Sequence, residues 1–306
     1  MIVLNVLLYY LVIIPISLLP FPLLYGLSDF LFVLFYYVFG YRKKVILGNI
    51  QRSFPDKTAK EQGEISKKFY RHFCDLIVES LKTFTISRRQ VAKRVVCKNP
   101  EVINKYYDQG RSVIIAGGHY NNWEIFAVGV NDLIKHQMIG IYKPLSNLYF
   151  DKKMRATRSK YGLYMISTKI VKQVFDEEAN NLTATLFAID QSPSNPNNCY
   201  WMKFLNQDTG ILFGVEKYAK EYNQPVIYGR INKEKRGYYS FEFYDVTDAP
   251  RETAYGEITE TVNKMLENDI NTLPQYWLWS HRRWKHKQPA DWNKEDQKLE
   301  NKITTK

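Results

Sequence analysis

The chain holds five histidines and 31 acidic residues, and one pair of them is placed for acid–base chemistry. His119 and Glu124 lie in Ser112-Val113-Ile114-Ile115-Ala116-Gly117-Gly118-His119-Tyr120-Asn121-Asn122-Trp123-Glu124, where an apolar run stops at two glycines. A neutral imidazole can take a proton from a hydroxyl when a carboxylate holds its other ring nitrogen and fixes the tautomer. The interval by itself says little, because His286 has Asp291 at the same distance in a charged stretch beginning Lys285-His286-Lys287-Gln288-Pro289. No apolar run precedes that second pair. The bland reading of the first is a His and a Glu that satisfy each other at a loop.

The elements around His119 give it weight. β-Branched and small apolar residues between Arg111 and the glycines fit a strand buried on both faces, as in a parallel sheet. Asn121 or Asn122 can cap a helix through Trp123, Ile125, Phe126 and Val128. Five positions are about 140° around a helix, so the two side chains can meet only if His119 is still in the turn and Glu124 is in the first helical turn. Sites form at such strand-to-helix turns in open α/β sheets.

Downstream the pattern alternates. Met138 to Tyr142, Tyr164 to Ile166, Ala184 to Ile189, Val226 to Ile231 and Tyr238 to Val246 read as strands. Asn147 to Lys160, Lys169 to Glu178, Ile211 to Glu221 and Glu252 to Asn271 read as helices. Upstream, Thr58-Ala59-Lys60-Glu61 is a capping box opening a helix through Ile65, Phe69, Phe73, Leu76, Ile77 and Leu81, and a helix near Pro100 to Tyr107 ends at Gly110. The fold class is α/β, a mostly parallel central sheet flanked by helices, with an N-terminal membrane-anchoring helical segment.

That segment carries no charge over its first 28 residues, and through Tyr41 only Asp29 is charged. It is long enough to cross a bilayer, although Pro15, Pro20 and Pro22 break it. One layout is a membrane helix over about residues 2 to 19 and a second segment, Phe21 to Phe39, lying in or re-entering the membrane. Arg42-Lys43-Lys44 follows, which puts the remainder on the cytoplasmic side. A cleaved signal peptide fits poorly, because a positive n-region and a small-residue cleavage site are missing. Three scattered cysteines, Cys74, Cys97 and Cys199, suggest neither a disulfide framework nor a metal site. The expected organisation is an anchor over 1–41, a catalytic domain over 42–285 and a charged, disordered tail over 286–306. A net charge of +12 asks for an anionic partner. With no phosphate loop, zinc-finger spacing or aromatic-basic signature, membrane lipid fits better than nucleic acid.

Several separate stretches resemble one family. Asn49-Ile50-Gln51-Arg52-Ser53-Phe54-Pro55, Gly117-Gly118-His119 to Glu124, Tyr142-Lys143-Pro144-Leu145-Ser146-Asn147, Asp190-Gln191 and Pro274-Gln275-Tyr276-Trp277-Leu278-Trp279-Ser280-His281-Arg282-Arg283-Trp284-Lys285 are similar, in this order, to the bacterial lipid A late acyltransferases, a branch of the glycerolipid and lysophospholipid acyltransferase superfamily. The chain departs from relatives at Phe204 to Gly210, where they show a turn of the kind Phe-Phe-Gly, and it has Glu124 where the wider superfamily mostly has Asp.

The resemblance implies transfer of a fatty acyl group from acyl carrier protein to a hydroxyl of a lipid A precursor, a glycolipid, at the cytoplasmic face of the bacterial inner membrane, with no cofactor and no metal. His119 would be the general base and Glu124 its orienter, and backbone N–H groups at the start of the helix after Asn121 would stabilise the oxyanion. Lys143, Arg155 and Arg158 would hold phosphate or sugar acid groups of the acceptor, unless Arg155 and Arg158 are only part of a solvated helical face. Asp190 would bind substrate or serve as a turn residue. Arg282 and Arg283, beside Trp277, Trp279 and Trp284, would form an anion site or a membrane-interface edge, or else a structural C-terminal clasp. The same chemistry on an aminolipid or a glycosylated phospholipid is the alternative. A noncatalytic protein binding anionic lipid is a further one.

Overall fold

The computed structural model describes residues 2–177, 181–290, 292 and 293, and in it the run before His119 becomes a strand buried along its whole length. The strands in chain order are β1 (Val95–Cys97), β2 (Val113–Gly117), β3 (Gln137–Tyr142), β4 (Tyr164–Ser167), β5 (Thr183–Ala188), β6 (Tyr200–Phe204), β7 (Gln207–Ile211), β8 (Val226–Lys235) and β9 (Tyr238–Thr247). Seven form one sheet in the order β1-β9-β8-β2-β5-β3-β4, with β2 at its centre. β8, β2, β5, β3 and β4 run parallel, and only the β8–β9 pairing is antiparallel.

Successive side chains of a strand point to opposite faces, and β2 therefore serves two cores. Ile114 and Ala116 pack with Phe69 and Tyr70 of the Ala59–Thr83 helix and with Val262 and Leu266 of the Glu257–Thr272 helix. Val113 and Ile115 pack on the other face with Ile125 and Phe126 of the Trp123–Gly129 helix and Ile103 and Tyr106 of the Glu101–Asp108 helix. The capping box is present as read: the Thr58 hydroxyl accepts from the Glu61 N–H, and the Glu61 carboxylate accepts from the Thr58 N–H at 2.7 Å.

Three local readings change. β1, at the edge of the sheet, escapes a periodicity search because it has only three residues. Ile211 does not open a helix. It ends β7 in the antiparallel β6–β7 hairpin, and the helix starts at Gly214. The hairpin turns through Leu205 and Asn206, both left-handed with φ of 49° and 63°, so a leucine stands where a glycine or asparagine usually signals the turn. The apolar amino terminus is helical over Ile2–Leu8 and Ile14–Leu18, joined by a π stretch, Tyr9–Ile13. Pro15 lies just after that stretch and has no N–H for a regular ladder. A second helix, Phe21–Val33, continues as a π stretch to Val38. Of the expected tail, residues 291 and 294–306, including Asp291, lie outside the described residues.

Gly118 is required for space. A Cβ there would sit 2.7 Å from Leu266 Cδ2 and 3.3 Å from Asp190 Oδ2, and overpacking of a core by one methyl costs about 1–3 kcal/mol. Gly118→Ala is expected to lower the urea midpoint by that much stability; an unchanged midpoint would mean that Leu266 yields freely.

Candidate functional site

The register of the parallel sheet brings the site together. Gly117 of β2 is paired with Ala188 of β5, so the residues two positions beyond, His119 and Asp190, leave the carboxyl edge side by side. Asp190 takes His119 with both oxygens. Oδ1 is 2.7 Å from the ring Nδ1, and Oδ2 accepts the His119 backbone N–H at 2.7 Å. Oδ2 also accepts the indole N–H of Trp277 at 2.9 Å. A buried carboxylate can only accept here, so Nδ1 carries the hydrogen and Nε2 keeps its lone pair.

The carboxylate expected on the imidazole was that of Glu124, and here the geometry differs. Glu124 turns to Arg158, whose Nε donates to Oε2 at 2.9 Å and whose Nη2 donates to Oε1. The Trp123 indole also donates to Oε1, at 3.2 Å, and the Trp123 ring meets His119 edge-on with centroids 5.0 Å apart. Glu124 thus neighbours the histidine through Arg158 and Trp123, while Asp190, read as a substrate ligand or turn residue, holds the ring. The helix start is fixed by Asn122, whose Oδ1 accepts from the Ile125 N–H at 2.9 Å and whose amide donates to the buried Glu79. The N–H groups of His119, Asn121 and Ile125 are all engaged, which removes them from the candidates for an oxyanion hole.

Burial disfavours the imidazolium, but the Asp190 charge and hydrogen bond, helped by Glu124, outweigh it and raise the His119 pKa above 6.5; Arg158 acts in the opposite sense. Burial pushes Asp190 up, yet the charge and hydrogen bond of His119 and the donors Trp277 and backbone N–H bring its pKa down to about 2. Removing the Glu124 charge takes away one stabiliser of the imidazolium while Arg158 remains. Glu124→Gln is therefore expected to move the acid limb of the pH–kcat/KM profile to lower pH, and a limb that stays or rises would exclude this coupling.

Two cavities meet at His119 and Arg158. The inner one, about 140 Å³, is walled by apolar residues including Ile115, Phe126, Leu163, Met165, Leu186 and Ile231. The outer one, about 520 Å³, is lined by Tyr142, Lys143, Leu145, Phe187, Leu212 and Tyr218, among others. Gln191 faces the outer cavity, with its amide nitrogen 3.2 Å from His119 Nε2. Lys143 and Arg158 are thus both at the cavities. Arg155 is exposed on the helix that carries Arg158 and lines neither.

The carboxy-terminal cluster divides. Arg283 is only 2% exposed and donates to the Gly210 carbonyl at 2.8 Å, which suits the clasp reading, whereas Arg282 is exposed. His281 accepts from the Ser192 N–H, and His286 approaches the Pro193 carbonyl. These residues hold the loop after Asp190. The sequence marks neither Trp277, one of an aromatic run, nor Gln191, part of a motif with Asp190, as a site residue, yet both reach the His119–Asp190 pair. All three cysteines are free, and among the described residues no group of three or more His, Cys, Asp or Glu side chains could hold a metal ion.

A histidine–carboxylate pair at the carboxyl edge of a parallel sheet, opening on an apolar chamber, belongs to an α/β protein able to do acid–base chemistry beside a hydrophobic ligand. More particularly, the chain belongs to the bacterial lipid A biosynthesis acyltransferase family, whose model matches residues 2–286. It is thus placed among acyltransferases of lipid A biosynthesis, a class that requires an acyl donor and a lipid acceptor. No curated protein matches the sequence.

Proposed function

We propose that the protein moves a fatty acyl chain from acyl carrier protein to a hydroxyl of a lipid A precursor at the cytoplasmic face of the inner membrane, with His119 as general base. The observation that carries this reading is the His119 ring, held at Nδ1 by Asp190, with Nε2 directed to the junction of an apolar and a cationic chamber. Nε2 takes the proton of the acceptor hydroxyl as its oxygen attacks the thioester carbonyl. Collapse of the tetrahedral species expels the thiolate, and the imidazolium returns the proton to it. No covalent acyl-enzyme is needed, because the thioester is already activated.

In the resting site the Gln191 amide occupies the place of the incoming hydroxyl, donating to Nε2. The inner chamber takes the end of an acyl chain. Lys143 and Arg158 attract the anionic part of the acceptor or the phosphopantetheine arm, with Glu124 holding the guanidinium of Arg158 in place. Arg155 and Arg282 lie outside the chambers and would contact only the outer part of a large acceptor.

Mass spectrometry of total lipids from a deletion strain, joined to an assay of the purified protein with acyl-loaded carrier protein, tests the reading. The expected result is lipid A lacking one acyl chain and transfer in vitro that restores it. Intact lipid A with another lipid missing would move the assignment to a different acceptor. Equal use of a coenzyme A thioester would remove the carrier protein as the specific donor.

A further inference from the structure

The mechanism leaves one buried acid unused. Glu79, on the Ala59–Thr83 helix, is 2% exposed, and its three partners are all neutral. The Tyr25 hydroxyl donates to Oε1 at 2.9 Å, the Tyr239 hydroxyl donates to Oε2 at 2.7 Å, and the Asn122 amide also donates to Oε2. A buried carboxylate is ordinarily balanced by a cation, and a helix that only packs would be better served by an apolar side chain at this place. What distinguishes Glu79 is its third donor, because Asn122 stands three positions after His119.

The turn between β2 and the Trp123–Gly129 helix rests on two buried asparagines, Asn121 and Asn122. Asn121 takes left-handed backbone, with φ of 57°, a conformation that asparagine tolerates better than most residues. It is held from two sides: its N–H donates to the Tyr276 carbonyl at 2.9 Å, and its amide donates to the Ile231 carbonyl at 2.7 Å. Asn122 caps the helix by accepting from the Ile125 N–H at 2.9 Å, and only one of its two amide orientations can do so. In the other, the amide nitrogen would face the Ile125 N–H, donor against donor, and the oxygen would face Glu79, acceptor against acceptor. Glu79 therefore selects the orientation that caps. Just past the cap lie Trp123, whose ring meets His119 with centroids 5.0 Å apart, and Glu124, which holds Arg158.

We propose that Glu79 is a positioning residue for acyl transfer: by accepting from the Asn122 amide it keeps the Asn122 oxygen on the Ile125 N–H, and so holds Trp123 and Glu124 where they meet His119 and Arg158. It touches no substrate and acts only through the turn. The task requires an acceptor and not a charge, since a glutamine can present its oxygen to Asn122 and Tyr239 and its nitrogen to the Tyr25 hydroxyl. The inference rests on His119 being the base.

The test compares the full chain with Glu79→Met, Asn122→Ser and Glu79→Gln, each assayed for transfer and titrated through the ¹⁵N spectra of its histidine rings, which need no substrate. Glu79→Met removes the acceptor. Asn122→Ser keeps a favoured capping residue whose side chain is too short to reach Glu79 as well. Both are expected to lower kcat by about 10–10²-fold, the scale of a slightly displaced catalytic group, with KM little changed. Both should also lower the His119 pKa, because Asp190 and Glu124 hold it up, so that the acid limb of the profile moves to lower pH. Glu79→Gln is expected to keep that pKa and to stay within about threefold of the parental kcat. An Asn122→Ser variant with unchanged kcat and His119 pKa, or a Glu79→Gln as impaired as Glu79→Met, would overturn the proposal; if Glu79→Met does not fold, Asn122→Ser and Glu79→Gln decide. Parental transfer by His119→Ala would overturn the base assignment and this proposal with it, whereas an inactive His119→Ala beside an unaffected Asn122→Ser would overturn this proposal alone.

Discussion

Asp190→Asn is expected to lower kcat by about 10³–10⁴-fold with KM little changed and the fold intact. The size of the effect follows from which oxygen does what. Oδ2 accepts two hydrogens, from the His119 backbone N–H and the Trp277 indole, so the oxygen of an asparagine must take that place. The amide nitrogen is then left facing Nδ1 and donates to it, which drives the imidazole proton to Nε2, the nitrogen that has to be free. The variant thus holds the ring in the wrong tautomer at nearly unaltered geometry. Steady-state kinetics and ¹⁵N spectra of the histidine ring check both halves. A kcat within a few-fold of the parent would show that Asp190 does not set the tautomer.

His119→Ala is expected to reduce transfer by about 10²–10⁴-fold, the usual contribution of a general base. Added imidazole should restore part of it, because the ring site borders both cavities and its side chain is 18% exposed. The parent profile supplies the companion measurement. The base works only when neutral, and its pKa lies above 6.5, so kcat/KM should climb with pH through a midpoint above that value. The carboxylate, with a pKa near 2 against 3.8 unperturbed, stays ionised throughout that range. A depressed carboxylate pKa contributes stability above pH 3.8 that is lost as pH falls through about 2. Removing its histidine partner should therefore shrink this contribution, measured as a smaller difference in Tm between pH 7 and pH 3 than in the parent. Transfer by His119→Ala at the parental rate would leave the proton without its proposed acceptor.

Much of the fold was readable from local signals. The β-branched run of β2, the Thr58–Glu61 box and the glycine after the Glu101–Asp108 helix each carry their own physical cause, and the structure keeps them. The misses are where the deciding contact is remote. Leu205 and Asn206 adopt left-handed backbone without a glycine, and Asn206 donates to the Ser53 carbonyl across the fold. Periodicity cannot register such support.

The partner of His119 escapes local pattern for a related reason. Glu124 is five positions away and draws the eye, whereas Asp190 is 71 positions away and meets the ring only because β5 lies next to β2. The signal was nonetheless in the chain: once Ala184 to Ile189 and Ser112 to Gly117 are taken as adjacent parallel strands, the residues just past their ends must be neighbours. Trp277 had no comparable cue. Its bond to Asp190 depends on the antiparallel bridge between Tyr120 and Trp277, which no pattern in either segment announces.

That bridge also sets an order on the ribosome. The apolar helices and the strand leading to His119 precede it in the chain, whereas the indole that completes the grip on Asp190 belongs to the last stretch of the matched region. A nascent chain can therefore form the strand and turn around His119 while the histidine is still poorly held. The grip on Asp190 is complete only once Trp277, 87 positions further along the chain, has emerged and folded back.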